Sequence, residues 1–180
     1  MADYIGRTQM RILFTLLSLI LLHGCTTTSV SGAFDDARNE SLATKRIKDA
    51  NPAFKDANFS VTSFKGMVLI TGQVPSADLI PLATAEVEPL RNVRQVFNEL
   101  SVAGKTSIIS RTNDSWLTTK VKSSLGTAET TDAGRIKVVT ENGVVYLMGL
   151  VTRAEADAAV EVTQGVQGVQ KIVKLFEYIN

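Results

Sequence analysis

Apolar positions along the chain fall into three patterns, and each predicts a different kind of element. Residues Ile12 to Leu22 read ILFTLLSLILL, an apolar run interrupted only by Thr15 and Ser18. Around Phe59 and Val61, and again around Ile136 and Val138, apolar residues alternate with polar ones, the period of a strand with one buried face. Leu117, Val121, Ser124 and Leu125 recur instead at helical spacing, a stripe that faces a core. The second and third patterns occur twice. Gly66-Met67-Val68-Leu69-Ile70-Thr71-Gly72-Gln73-Val74 aligns with Gly143-Val144-Val145-Tyr146-Leu147-Met148-Gly149-Leu150-Val151, 77 positions later. Asn92-Val93-Arg94-Gln95-Val96 matches Gly168-Val169-Gln170-Lys171-Ile172, and Thr44-Lys45-Arg46-Ile47-Lys48 matches Thr118-Thr119-Lys120-Val121-Lys122.

Each copy spans about 65 residues, close to the smallest size that holds its own core. The pattern predicts a helix (about 37–50 and 114–126), two strands, a second helix (about 76–90 and 152–164) and a last strand (about 93–101 and 168–178). Asn142-Gly143 between two strands is a strong hairpin signal. Gly66 and Gly143 are expected at positive φ in the hairpin turns, and Gly72 and Gly149 are expected to permit close helix–sheet packing. Asp114 or Ser115 can cap the first helix of the second copy. Glu155 and Asp157 suit the positive N-terminal end of its second helix. The fold class is therefore α+β: two tandem αββαβ units, each a two-layer sandwich of a three-stranded sheet and two helices. The boundaries read as 36–101 and 114–180, joined by a linker at 102–113.

The first apolar run is too short to span a bilayer, which takes about 20 apolar residues. With Arg7 and Arg11 ahead of it, it reads as a secretory signal peptide; Met10 would also serve as a start. Its end, Leu22-His23-Gly24-Cys25, resembles the bacterial lipobox. That resemblance implies cleavage after residue 24 and acylation of Cys25, with several acyl chains giving a firm anchor. Residues 25–35, opening with Thr26-Thr27-Thr28-Ser29, read as a lipidated tether. Thr26 rather than aspartate follows the cysteine, which implies the outer membrane, facing the periplasm.

Charge and chemistry narrow the function. Loss of residues 1–24 removes Arg7, Arg11 and Asp3 and leaves basic and acidic side chains equal in number. A neutral protein lacks the positive field that nucleic-acid binding needs. The chain has one cysteine, so it forms no internal disulfide, and its one histidine is His23, ahead of the cleavage point. Imidazole-based catalysis and imidazole metal sites are thereby excluded from the mature form. Glu86 with Glu88 and Glu155 with Asp157 recur at ordinary helix-surface spacing, so no catalytic pair is assigned. No cofactor and no metal site are expected, and the reading is of a protein that is not an enzyme.

The repeated G-x-V-x-L-x-G-x-V strand, seen at Gly66–Val74 and Gly143–Val151 with Val93/Val96 and Val169/Ile172 in the last strands, resembles the BON-domain family. A lipobox followed by two such units is similar to the dual-BON outer-membrane lipoproteins of Gram-negative bacteria. The resemblance covers nearly all of the chain beyond residue 36. It implies binding of anionic phospholipid (phosphatidylglycerol, cardiolipin) and support of the outer-membrane barrier. The alternative is an envelope scaffold that docks onto a protein partner such as the outer-membrane assembly machinery. Some relatives carry a hemolysin label, but nothing in these residues supports pore formation.

The candidate lipid-binding residues lie on the first helix of the second copy: Trp116, Leu117, Thr119, Lys120, Val121, Lys122 and Ser123. At 100° per residue Trp116, Thr119, Lys120 and Ser123 gather away from the Leu117/Val121/Leu125 stripe, with Lys122 further round. Tryptophan beside lysine suits a membrane interface, the ring among headgroups and the ammonium on phosphate. Leu42 stands at the matching place in the first copy. The Lys45-Arg46-Ile47-Lys48 cluster has Glu40 and Asp49 nearby and no aromatic, so it reads as a solvated face.

Overall fold

Why the repeat folds as it does follows from where its apolar residues go. The computed structural model describes residues 30–103 and 108–180; the signal-peptide run, Cys25 and the threonines after it lie outside the described residues. The first copy consists of α1 (Val30–Ala50), a single turn α2 (Ala53–Asp56), β1 (Asn58–Phe64), β2 (Met67–Val74), α3 (Leu79–Val87) and β3 (Gln95–Val102). The second consists of α4 (Ile108–Thr127), a 3₁₀ turn (Ala133–Arg135), β4 (Ile136–Glu141), β5 (Val144–Val151), α5 (Arg153–Gln164) and β6 (Lys171–Tyr178). Each copy forms a separate three-stranded sheet, ordered β1-β2-β3 and β4-β5-β6. The first two strands of each pair antiparallel, and the third joins parallel to the second. The parallel step requires a crossover, which α3 and α5 supply. The α+β fold expected from the repeat is the fold observed.

Local chemistry sets the turns. Phe64 pairs with Met67 and Glu141 with Val144, so each hairpin has a two-residue loop. Lys65 and Gly66 take φ of 52° and 77°, and Asn142 and Gly143 take 50° and 75°, the left-handed pair that matches strand twist. Gly72 and Gly149 have a different reason from the one expected. A Cβ at Gly72 would lie 2.2 Å from the Asn58 carbonyl oxygen, and one at Gly149 would lie 2.6 Å from that of Arg135. Backbone at or just before the start of the neighbouring strand, rather than a packed α-helix, excludes side chains there.

Helix starts differ from the sequence reading. Both α1 and α4 begin about a turn or more earlier than expected, and α4 takes up the second half of the stretch read as linker. Asp114 and Ser115 therefore lie inside α4 and do not cap it. The single turn α2 carries Phe54, fully buried, with its ring edge-on to Phe59 at 5.8 Å. At α5 the Thr152 hydroxyl accepts from the Glu155 N–H and the Glu155 carboxylate accepts from the Thr152 N–H, a reciprocal cap. Those bonds, with Arg135 at 2.8 Å, hold the Glu155 carboxyl below the ordinary carboxylate range.

Three hydrophobic clusters organise the packing. Val68, Ile70 and Val74 of β2 face Ala43, Ile47, Leu79 and Ala83 of the first copy's helices. Val145, Leu147 and Val151 of β5 face Leu117, Val121 and Ala156. The opposite faces of the same strands, Met67 and Leu69 on β2 and Tyr146 and Met148 on β5, join Leu175 in a third cluster. All eight residues of β2 are buried. Each sheet is thus covered by helices on one side and by the other sheet on the second, within one compact unit, Ser31–Asn180. A large apolar side chain buried this way stabilises by roughly 1.5–3 kcal/mol.

The two sheets meet head to tail. Gln73, near the end of β2, donates from Nε2 to Glu141 Oε1 at 2.9 Å, beside the second hairpin. Arg94, whose Nη2 donates to the Lys65 carbonyl of the first hairpin at 2.8 Å, pairs with Glu177 near the end of β6 at 2.7 Å. The first hairpin therefore lies where the second sheet ends, and the second hairpin lies where β2 ends. Burial, with Glu99 and Glu141 nearby, pushes the Tyr146 phenol up to about 12.

Candidate functional site

The start of α4, the second hairpin and the loop into β6 converge on one corner of the second copy. Asp114 anchors it. Its carboxylate accepts the N–H of Asn142 at 2.8 Å and that of Gly143 at 2.9 Å, and the side chain is 7% exposed. The turn's two donors thus find partners on the helix rather than in water. Ser110, one turn earlier, donates to Asn142 Oδ1 at 2.8 Å. Gln170 closes the third side, its N–H donating to the Gly143 carbonyl at 3.0 Å. Between these parts lies a pocket of about 300 Å³ with Leu117 and Gly168 among its walls and Trp116 at its mouth.

Of the seven residues picked out on α4, the helix presents five to solvent or its margin. Trp116 is 61% exposed. The Lys120 ammonium stands 4.2 Å from the centre of its ring and donates to the Gln167 carbonyl at 3.2 Å. Cation and ring face each other here, an arrangement worth about 0.5–1 kcal/mol at an exposed site. Thr119, Lys122 and Ser123 are exposed. Val121 is corrected: at 0% exposure it lies in the core under β5 and cannot meet a bilayer surface. Leu117, 4% exposed, belongs to the same core and reaches only the pocket wall. Sequence reasoning missed Asp114, Gly168 and Gln170 as parts of this corner. The Asn142-Gly143 turn and its counterpart in the repeat were the available signals.

The first copy builds the matching corner from different residues. The carboxylate on the turn is Asp36, which accepts from Lys65 N at 2.7 Å, Gly66 N at 3.1 Å and Ser63 Oγ at 2.7 Å. Asn92, in the place of Gly168, donates to Asp35 at 2.8 Å. Arg94, in the place of Gln170, lies against Gly66. Leu42, in the place of Trp116, is half-buried against the core. In the Lys45–Lys48 cluster, Lys45 pairs with Asp49 at 2.6 Å, and that bond holds the Asp49 carboxyl below its usual range.

Among the described residues no helix is long and apolar enough to cross a membrane. Nor, among the described residues, is any group of three or more histidine, cysteine, aspartate or glutamate side chains placed to hold a metal ion.

Comparison with known proteins gives these features a family. The BON-domain model matches residues 35–104 and 113–180. The outer membrane lipoprotein DolP of Haemophilus influenzae is 34% identical over 186 aligned positions, covering 94% of this chain and 96% of that one. A 21 kDa hemolysin of Actinobacillus pleuropneumoniae is 34% identical over 81% of this chain and 75% of its own. Among solved structures, the C-terminal domain of CdsD, a structural protein of the Type III secretion system of Chlamydia trachomatis, covers 81% of this chain and 67% of its own at 15% identity. Its TM-score is 0.32, a likeness too slight to carry an argument. Two matched units and identity along the whole length place the chain in the BON-domain family, as a dual-BON outer-membrane lipoprotein of the DolP type.

Proposed function

We propose that this protein binds anionic phospholipid, phosphatidylglycerol or cardiolipin, through its second BON unit, and that this binding supports the integrity of the envelope. It does so from the periplasmic face, held by acyl chains on Cys25 after removal of residues 1–24. The observation that carries the reading is Trp116: a tryptophan 61% exposed on a charged helix, with an ammonium 4.2 Å over its ring. An exposed indole gains by entering the headgroup layer, where its apolar body and polar N–H both find partners. Lys120 and Lys122 add attraction of about 1 kcal/mol each near an anionic surface. Two lysines hold no protein alone, so the indole and the anchor contribute the rest.

The soluble form lacking residues 1–25 should co-sediment with phosphatidylglycerol vesicles and not with phosphatidylcholine vesicles. Salt should weaken the binding without abolishing it, because screening acts only on the charged part. Trp116→Ala should cost more than Lys120→Ala or Lys122→Ala and leave the fold intact. Equal binding to both lipids, or unchanged binding by folded Trp116→Ala, would refute the reading and favour docking on a protein such as the outer-membrane assembly machinery.

A further inference from the structure

The pocket beside Trp116 has Gly168 and Gln170 in its lining, and both differ from the matching residues of the first copy. Gly168 stands where the first copy has Asn92, and Gln170 stands where it has Arg94. A Cβ at Gly168 would come 3.5 Å from Leu117 Cδ1, across the pocket floor. In the first copy the Asn92 amide is tied to Asp35 and the Arg94 guanidinium to the Lys65 carbonyl.

The walls have a definite chemistry. Asn113 and Gln170 offer exposed amides, and Ser110 offers a hydroxyl. These are neutral groups that both donate and accept, as hydroxyls do. The one carboxylate, Asp114, has an oxygen on each turn N–H and is nearly buried. Lys120, 4.2 Å over the Trp116 ring, would repel an ammonium. Leu117 and the indole give carbon for carbon to lie against. At about 30 Å³ of liquid volume per water, the pocket has room for a three-carbon polyol with several waters.

We infer that this pocket is the headgroup subsite of the lipid site. It takes the uncharged, hydroxylated end of a phosphodiester, a glycerol-like polyol, while Lys120 takes the phosphate. The inference rests on the lipid reading above, and Gly168 is its specificity-determining residue.

Trp116 is the one tryptophan of the chain, so its emission reports engagement in the full lipidated protein. The protein is reconstituted through its anchor in phosphatidylcholine vesicles doped with phosphatidylglycerol, phosphatidic acid or phosphatidylserine at matched charge. Phosphatidylglycerol should shift the emission to the blue at a several-fold lower mole fraction than the other two. Gly168→Asn should remove that advantage. Gln170→Arg should remove it as well, even though the added charge strengthens attraction to every anionic lipid. It decides the matter if Gly168→Asn does not fold. In solution, deacylated glycerophosphoglycerol should shift the Gly168 amide resonance, and inorganic phosphate at the same concentration should not. Equal midpoints for the three lipids, a phosphatidylglycerol advantage kept by the folded variants, or a shift by phosphate alone would overturn the subsite. A Trp116 emission that no anionic lipid moves beyond phosphatidylcholine would overturn the lipid reading itself.

Discussion

The corner where helix meets hairpin is solved twice in this molecule, and the two solutions differ by one helical turn. In the first copy the carboxylate that receives the turn's N–H groups is Asp36; in the second it is Asp114, whose aligned position in the first copy is Glu40. Glu40 is also in use, accepting from Ser63 N at 2.8 Å. The requirement is an acceptor over the turn, not a residue at a fixed place. Once that is met, the residues around it are free to differ. The first copy has Asn92 and Arg94 at its corner, while the second has Gly168 and Gln170 beside a pocket and an exposed tryptophan.

The sharpest test of how far the copies depend on one another is their shared cluster. Leu69→Ala, at a side chain 1% exposed against the second sheet, should cost 2–5 kcal/mol, the range for a buried leucine that leaves a cavity. The intact protein should unfold in one denaturant transition; two transitions would show that the sheets do not stabilise each other. The corner acids come next. Asp114→Ala strands two N–H groups and should cost about 3 kcal/mol, since charge-assisted bonds are worth about 1.5–3 kcal/mol and the amides stay partly buried. Asp36→Ala, at a more exposed corner, should cost less, and the reverse order in urea melts would remove burial as the reason for the difference.

Alkaline pH probes the interface through Tyr146. Its phenol titrates near 12 in the fold against an ordinary value of 10.0. The folded state therefore holds the proton more tightly. The contribution is complete below pH 10 and is lost as pH rises to about 12, by roughly 2–3 kcal/mol. Tyr146→Phe should lack that part of the alkaline loss, and identical profiles would refute it. Glu177→Gln, which removes the half-exposed partner of Arg94 across the interface, should cost under about 1 kcal/mol, and less in high salt. Smallest of all, Leu42→Trp in the first copy should add no measurable vesicle binding, because Asn92 and Arg94 stand there in place of Gly168 and Gln170. A gain would mean that the indole suffices without the pocket.

Much of this was legible in the residues, and the limits have physical causes. The order of elements, the hairpin turns and the Trp116–Lys120 side of α4 all follow from local spacing. The sheet-to-sheet packing left a signal too. Val68-Leu69-Ile70 and Val144 through Met148 are continuous apolar runs, the mark of a strand buried on both faces. An alternating strand with one open face would not carry them. The early starts of α1 and α4 were hidden because those ends draw support from a hairpin about 30 residues away, through Asp36 and Ser110. The pocket could not be read at all from one stretch of chain. Gly168 acquires meaning only when α4, the hairpin and the β6 loop meet.

Head-to-tail contact between like surfaces is the geometry of a two-fold dimer, in which each partner offers the same patch to the other. Two separate copies of one unit joined that way would be bound by symmetry: any pocket, or any plug, would appear twice. Here both partners are one chain. A single substitution changes one corner only, so the two ends of the pair can take on different duties without disturbing the seam between them. Covalent linkage thus gives a symmetric assembly a front and a back.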